Sequence, residues 1–588
     1  MKMKKPLALF LSCLSVFSMA ACDGGSGGGG GGNIFEPHPD ALEIVIVSMS
    51  GGVGSEWLYE MELAAEEWSS TKMYGTHPGF NLSITEKQGL SGEGALSGSG
   101  YNIIFGERAD VQTFIKRGLL LEITDLVTKQ DESGRSIESA IYEDTKARFQ
   151  DAEGKYYGLP HYEFYAGLSY DVSAFEKYGA FIAAPNQVEQ WVVPYSCNYG
   201  SLEFTDETGL NSVQRSCGPD GVFNTPDDGL PSSLQEMLIL CQYLKENNVA
   251  PIVLSGQYTN MAAYLINGLW PALAGYEQMK TLYTFNGQIE AIKLDANGNY
   301  VFTNELLFEG VPGIYKPETE MVDITYENGN RTTDMAAKYY AYAFLEAIKN
   351  EGFLDDKSLV GTTSHTGAQR NLIFGSMAQG EKDRGMLIDG SYWWNESILQ
   401  GNFEDYAIYV PEERNIRFMS LPTSVNTTTT EGNGEPATLL DVGQGMCYVN
   451  SNIANKPELV QACKDFLEYA YSDQSLRDFT RITGIVRPMH YTLDSSERAE
   501  LNGYEQALYE MRENSNVILL SGDNEIFRTY SSAFRVNLEC TQLCPSINGN
   551  VKKDLYEALN IDGVTARTLM EGTRIAPSQW VGYVDVMQ

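Results

Sequence analysis

Asp389, Trp393, Trp394 and Glu396 stand close together in one short stretch, and that combination poses the first chemical question. Indole faces beside carboxylates suit a solute with C–H faces and polar rims. The same two carboxylates also read as the acid/base pair of a glycoside hydrolase, which would need a separation of about 5–5.5 Å or about 6.5–9.5 Å. Adjacent side chains diverge, so one of the two indoles is expected in a cleft and the other in a core. A second polar run, Gly218 to Pro231 (GPDGVFNTPDDGLP), carries Asp220, Asn224, Asp227 and Asp228. Hard oxygen ligands spread through a glycine-bearing loop suit calcium, so a structural calcium ion is one expectation here. The spacing is not that of an EF-hand, and Asp and Gly also build ordinary turns. No HExxH, GxxxxGK[ST] or nucleophile–histidine–acid constellation is present, and no cofactor is required by any motif. Gly51-Gly52-Val53-Gly54 matches neither nucleotide-binding pattern and reads as a tight turn into a helix whose N-terminus faces a cleft.

The elements that would position these groups alternate. Glu43 to Met49 is a β-branched run typical of a buried strand, and a helix is expected from about Ser55 to Trp68. Phe80 to Glu86 and Tyr101 to Phe105 read as further strands, and a helix ends near Gly118. Strand–helix alternation of this kind predicts an α/β layer fold with helices covering a largely parallel sheet.

The N-terminus is an address. Lys2, Lys4 and Lys5 precede an apolar run from Leu7 to Phe17, and Met19-Ala20-Ala21-Cys22 follows. This is an export signal, and its apolar run falls short of the ~20 residues that span a bilayer. Small residues before a cysteine resemble the bacterial lipobox, in which the cysteine is lipidated and becomes the mature N-terminus, here Cys22. Asp23 to Gly32 (DGGSGGGGGG) is then a flexible tether with an end-to-end distance of roughly 16–19 Å. The expected location is the outer face of the cytoplasmic membrane, touched through the lipid alone. At 588 residues the chain exceeds one hydrophobic core, so two lobes are expected. The net charge is −37 with the signal's lysines included. That charge argues against nucleic acid and polyanionic ligands and favours a neutral or cationic solute. Cys197 and Cys217, and Cys540 and Cys544, are the nearest candidate disulfide partners, while Cys241 and Cys463 fit core positions on amphipathic helices.

Residues 101–180 carry a resemblance. Gly118 to Leu126 (GLLLEITDL), Gly154 to Pro160 (GKYYGLP) and Gly167 to Gly179 (GLSYDVSAFEKYG) resemble, in order, motifs of the extracellular sugar-binding proteins of ABC importers, family 1. Asp171 stands where that family more often has Asn. Arg384 to Trp394 (RGMLIDGSYWW), Pro457 to Asp473 and Gly484 to Pro488 (GIVRP) extend the likeness across most of residues 41–490. The last hundred residues carry no such motif.

The resemblance implies a two-lobed periplasmic-binding-protein-like clamp, each lobe a mostly parallel sheet flanked by helices, that closes on a solute. Residues 1–21 would be the signal, 22–40 the lipidated cysteine and tether, 41–163 the first part of lobe 1 and 164–440 lobe 2. Residues 441–500 would return to lobe 1, and 501–588 would form a helical region packing on the lobes. The implied activity is carbohydrate capture, possible for an oligosaccharide, by a non-enzymatic monomer that delivers its cargo to an ABC permease. Trp393, Trp394 and Asp389 lead the implied binding residues, with Glu396 beside them. His161, Tyr162, Glu163 and Tyr165 sit where the family crosses between lobes, facing either cleft or hinge. Glu56 and Trp57 open the first helix, Trp270 follows within Gly268-Leu269-Trp270-Pro271, and Asp441 and Arg487 are lesser candidates. Two alternatives stay open: an exported carbohydrate-active hydrolase, and the binding subunit of a surface sensor or adhesin.

Overall fold

The computed structural model describes residues 38–585, apart from 49–51, 88–91, 98–99, 108–110, 186, 188–191, 206–213, 378–380, 413, 427–435, 444 and 520–553. Cys22, the signal and the tether lie outside the described residues, as do Cys540 and Cys544.

The apolar run LEIVIVS forms β1 (Leu42–Ser48), which buries Ile44, Ile46 and Val47 completely. After the glycine turn, α1 (Glu56–Ser69) returns across the sheet with Trp57, Leu58, Met61 and Ala65 on its buried face. β2 (Phe80–Glu86) and β3 (Ile103–Gly106) both pair parallel to β1. Parallel pairing is what a chain brought back to the same edge by a long crossover must adopt. β4 (Leu159–Pro160) is the last strand before the chain leaves this lobe.

The second lobe is built from β5 (Ala166–Asp171), α2 (Leu234–Glu246), β6 (Ala250–Val253), α3 (Ala262–Ala274) and α4 (Ala336–Asn350). It continues with α5 (His365–Phe374), β7 (Arg384–Gly390), α6 (Trp393–Leu399), β8 (Ile416–Phe418) and β9 (Ala437–Leu440). α2 starts on a capping box: the Ser233 hydroxyl accepts from the Glu236 amide, and Glu236 accepts from the Ser233 amide. The chain then returns to lobe 1 through β10 (Met446–Val449), α7 (Pro457–Ala470) and α8 (Asp473–Thr483). It ends with α9 (Gly503–Glu513), β11 (Ser515–Ile518), α10 (Leu555–Ala558), α11 (Ala566–Gly572) and α12 (Pro577–Val584).

Strand order is β2-β1-β3-β10-β4 in the first sheet and β6-β7-β5-β8 in the second. Both sheets are mixed rather than wholly parallel. β10 runs antiparallel to β3 and β4, and β5 runs antiparallel to β7 and β8. The antiparallel strands β5 and β10 are those that arrive directly from the other lobe, so no helical crossover fixes their direction. Each sheet has its own core, one drawing on residues 44–164 and 446–489, the other on residues 168–440. The last three helices, α10 to α12, add to the second core: Leu555, Leu569, Met570 and Trp580 are all buried in it. Trp580 packs edge-on to Phe285 at 5.2 Å and donates its indole N–H to the Tyr326 carbonyl. Among the described residues no helix is long and apolar enough to cross a membrane.

Three chain passages tie the lobes together. The Val442 amide donates to the Phe164 carbonyl (2.8 Å), and the Glu163 amide to the Val486 carbonyl (3.0 Å). One oxygen of buried Asp441 accepts from the amides of Phe164 (3.1 Å) and Gly443 (2.9 Å), which pins two passages at one point. Glycine is required at 443, because a Cβ there would lie 2.8 Å from the Tyr162 ring and 3.0 Å from that of Phe164.

Candidate functional site

Between the two sheets lies a cavity of about 120 Å³. Glu107, just past the C-terminal end of β3, walls it from lobe 1; Tyr264 on α3, Tyr392 after β7 and Glu396 on α6 wall it from lobe 2. Phe164, Val442 and Gly443 of the connecting passages form its floor. Sheet topology explains the location, since residues just beyond the C-terminal ends of parallel strands crowd into the crevice between lobes.

Aromatic rings set the cavity's shape. Tyr392 packs against Phe164 at 5.0 Å, and its hydroxyl donates to that of Tyr264 at 3.1 Å. Gly52, at positive φ (75°) in the turn after β1, lets the lobe 1 backbone approach Tyr392: a Cβ there would stand 3.1 Å from that of Tyr392. A second bridge between lobes is the Asn395 side-chain amide, which donates to the Thr483 carbonyl at 2.7 Å. Tyr162 donates its hydroxyl to Glu107 at 3.1 Å and so orients that carboxylate.

The polar wall is acidic. A single side-chain nitrogen, Gln369 Nε2, donates to both Asp389 (3.1 Å) and Glu396 (2.8 Å). The Gln369 carbonyl is held in turn by the Ser397 hydroxyl at 3.1 Å. Asp389 is buried behind this amide and also accepts from the Gly390 N–H. Burial pushes the Asp389 carboxyl up to about 8, with the neighbouring Glu396 charge adding to the rise. Burial likewise raises Glu396, opposed by the Gln369 hydrogen bond and by His365, whose Nε2 lies 3.7 Å away. None of the described residues lining the cavity is basic.

The residues singled out in the sequence distribute differently. Trp393 and Trp394, at 0% and 4% exposure, both lie in a buried aromatic cluster and neither lines the cavity. Trp393 donates to Ser169 at 2.8 Å, while Trp394 stacks on Tyr504 with centroids 4.7 Å apart and planes within 4°. Tyr504 belongs to α9, a helix that no family motif foretells, and it covers the face on which an indole was expected to be open. The group that does project into the cavity is their neighbour Tyr392. Trp270 is fully buried in the second lobe, its N–H on the Met335 sulfur. Trp57 is fully buried against Phe105, Phe479 and His161, and Glu56 beside it is exposed. Buried His161 is kept neutral by desolvation and by the nearby Arg487 charge. Arg487 itself is fully buried, with its guanidinium over Trp57, Tyr471 and Phe479. Of the two readings offered for Glu163 and Tyr165, hinge packing describes their place: Glu163 accepts from the Tyr165 hydroxyl (2.6 Å) and from Arg512 of α9 (2.7 Å).

In the loop Gly218 to Pro231, the acidic side chains serve the loop itself. Asp227 accepts from the Asp220 amide and the Thr225 hydroxyl, Asp220 from the Val222 amide, and Asp228 from the Asn224 amide. Among the described residues no group of three or more His, Cys, Asp or Glu side chains converges as a metal site. Cys241 and Cys463 are buried thiols in the two cores.

Sequence reasoning missed Glu107, Tyr264, Tyr392 and Gln369. Glu107 carried a usable signal, a charged residue directly after a predicted buried strand. Tyr264 and Gln369 carried none: Tyr264 lies in the first turn of a helix that is apolar almost throughout, and Gln369 sits mid-helix.

No family profile and no curated protein matches this chain. Solved structures do. The fold is similar to that of a probable secreted solute-binding lipoprotein from Streptomyces coelicolor, with 10% identity, 91% of this chain and 98% of the other covered, and a TM-score of 0.50. It is similar as well to a structure described in work on xylan utilization by Caldanaerobius polysaccharolyticus, with 12% identity, coverage of 91% and 99%, and a TM-score of 0.50. The chain therefore has the two-lobed α/β fold of the extracellular solute-binding proteins.

Proposed function

We propose that this protein is a lipid-anchored extracytoplasmic receptor that captures a carbohydrate between its lobes and delivers it to an ABC permease. The observation that carries this reading is the aromatic and acidic cavity at the junction of three interlobe passages. A ligand there touches both sheets and the hinge at once, so its binding energy favours the closed arrangement. Tyr392, Tyr264 and Phe164 supply ring faces, and Glu396 and Glu107 accept from hydroxyl groups. The export signal, Cys22 and the glycine tether support an anchored protein working outside the cytoplasmic membrane as a monomer. A structural neighbour described as a secreted solute-binding lipoprotein fits the same reading.

The carboxylate pair that prompted the hydrolase alternative, Asp389 and Glu396, is not placed for it. Asp389 is sealed behind Gln369 and does not line the cavity, so it and Glu396 do not flank a space that a glycosidic bond could enter. Titration calorimetry of residues 38–588 against a panel of mono- and oligosaccharides, with chromatography of the recovered sugar, tests the proposal. Saturable binding of a sugar recovered intact is expected; a shortened sugar would replace the receptor with an enzyme.

A further inference from the structure

Among the described residues that line the cavity, one from each lobe is acidic and none is basic. Glu107, just past β3, and Glu396 of α6 line it from opposite lobes, and the Glu107 charge adds to the cost of ionising Glu396. Asp389 stands directly behind Glu396, sharing the one Gln369 donor. The other groups facing this cluster are neutral donors and acceptors: the hydroxyls of Tyr264, Tyr392 and Tyr162, and the amide of Gln369. His365 of α5 is the one titratable cation nearby among the described residues; it sits outside the lining, against Tyr258, at 3.7 Å from Glu396. Carboxylates gathered in a partly open crevice are costly to the extent that burial strips their water, unless protons or an opposite charge join them. A neutral sugar brings hydroxyls but no charge. An ammonium group brings both donors and the missing charge, and ring faces such as those of Tyr392 and Phe164 suit a cation as well as a C–H surface.

Resting on the receptor reading above, we propose that the captured solute is cationic, an amino sugar whose ammonium group seats between Glu107 and Glu396 while its ring packs on Tyr392. The cavity, about 120 Å³ and partly open, takes one ammonium-bearing ring edge, and the rest of an oligosaccharide would lie outside it. A longer ligand therefore places a single residue in this cavity.

Calorimetry with residues 38–588 near neutral pH tests this with three probe series: β-1,4-linked glucosamine oligomers, glucose oligomers of the same linkage, and N-acetylglucosamine oligomers. Charge-assisted hydrogen bonds predict a preference of roughly tenfold to a hundredfold for the free amine over both neutral series. Glu396→Gln and Glu107→Gln should each erode that preference more than they weaken neutral sugars, and added salt should do the same. Neutral sugars that bind as well as the amine, or better, would overturn the cationic assignment and leave carbohydrate capture standing. Binding of a simple polyamine such as spermidine with no sugar bound would keep the charge assignment and overturn the amino sugar and carbohydrate readings. No binding by any probe would overturn both.

Discussion

Arg512→Met is the sharpest single perturbation of the hinge. Arg512 Nε donates to Glu163 at 2.7 Å, and the two side chains are 13% and 1% exposed. The guanidinium also lies 4.4 Å from the Tyr142 ring, an aromatic contact in addition to the pairing. Methionine keeps most of the apolar stem while removing the charge. It leaves the buried Glu163 carboxyl without its cationic partner, with the Tyr165 hydroxyl still donating to it. Breaking a buried pair from one side costs roughly 3–5 kcal/mol, because the surviving charge has lost its compensation. Removing both charges in Glu163→Gln/Arg512→Met should restore much of that, since a pair replaced whole is often close to neutral. Urea unfolding followed by tryptophan fluorescence reads the effect, since Trp393 meets Tyr504 edge-on and Trp394 stacks on it, on the same α9 that carries Arg512. A loss below about 1 kcal/mol for Arg512→Met, the range of exposed pairs, would refute the argument that this contact is a buried brace. A double variant no better than the single would refute it as well.

Trp394→Ala should cost about 3–5 kcal/mol of stability and leave ligand affinity within a few-fold, as expected of a core residue; denaturation and calorimetry on one sample separate the two effects. Tyr392→Ala should do the reverse, weakening binding at least tenfold with a smaller loss of stability, because its ring faces the cavity. Stability should fall as pH rises from the ordinary carboxylate range of about 4 towards 8. The folded state holds Asp389 protonated up to about 8, so it binds more protons than the unfolded chain across that window. Asp389→Asn should flatten that slope, and an unchanged slope would place the proton elsewhere. Calcium at millimolar concentration should leave Tm where chelator leaves it, since Asp220, Asp227 and Asp228 already accept from amides and hydroxyls of their own loop.

Much of the architecture was readable because burial leaves a periodic trace. The strand expected over 80–86 is found at Phe80–Glu86, and the helix expected from Ser55 to Trp68 runs Glu56–Ser69. The mixed direction of the sheets was not readable: β5 and β10 are as buried as any parallel strand, and only their arrival from the other lobe reverses them. The site was legible in outline. Asp389 and Glu396 do meet across one amide, yet the indoles between them are turned into a core made by α9, a covering element that no local pattern announces. Tyr392 stands directly beside those indoles, but nothing in sequence says which of three adjacent aromatic side chains a later helix will bury.

Thermal unfolding of residues 38–588 with and without saturating sugar addresses the central claim most directly. A ligand at a hundred times its dissociation constant adds about 2.7 kcal/mol to the folded state. A clear rise in Tm with at least one intact carbohydrate is expected, cut by about half or more in Tyr392→Ala and kept in Trp394→Ala. A rise that survives Tyr392→Ala undiminished, or a sugar recovered cleaved, would contradict it.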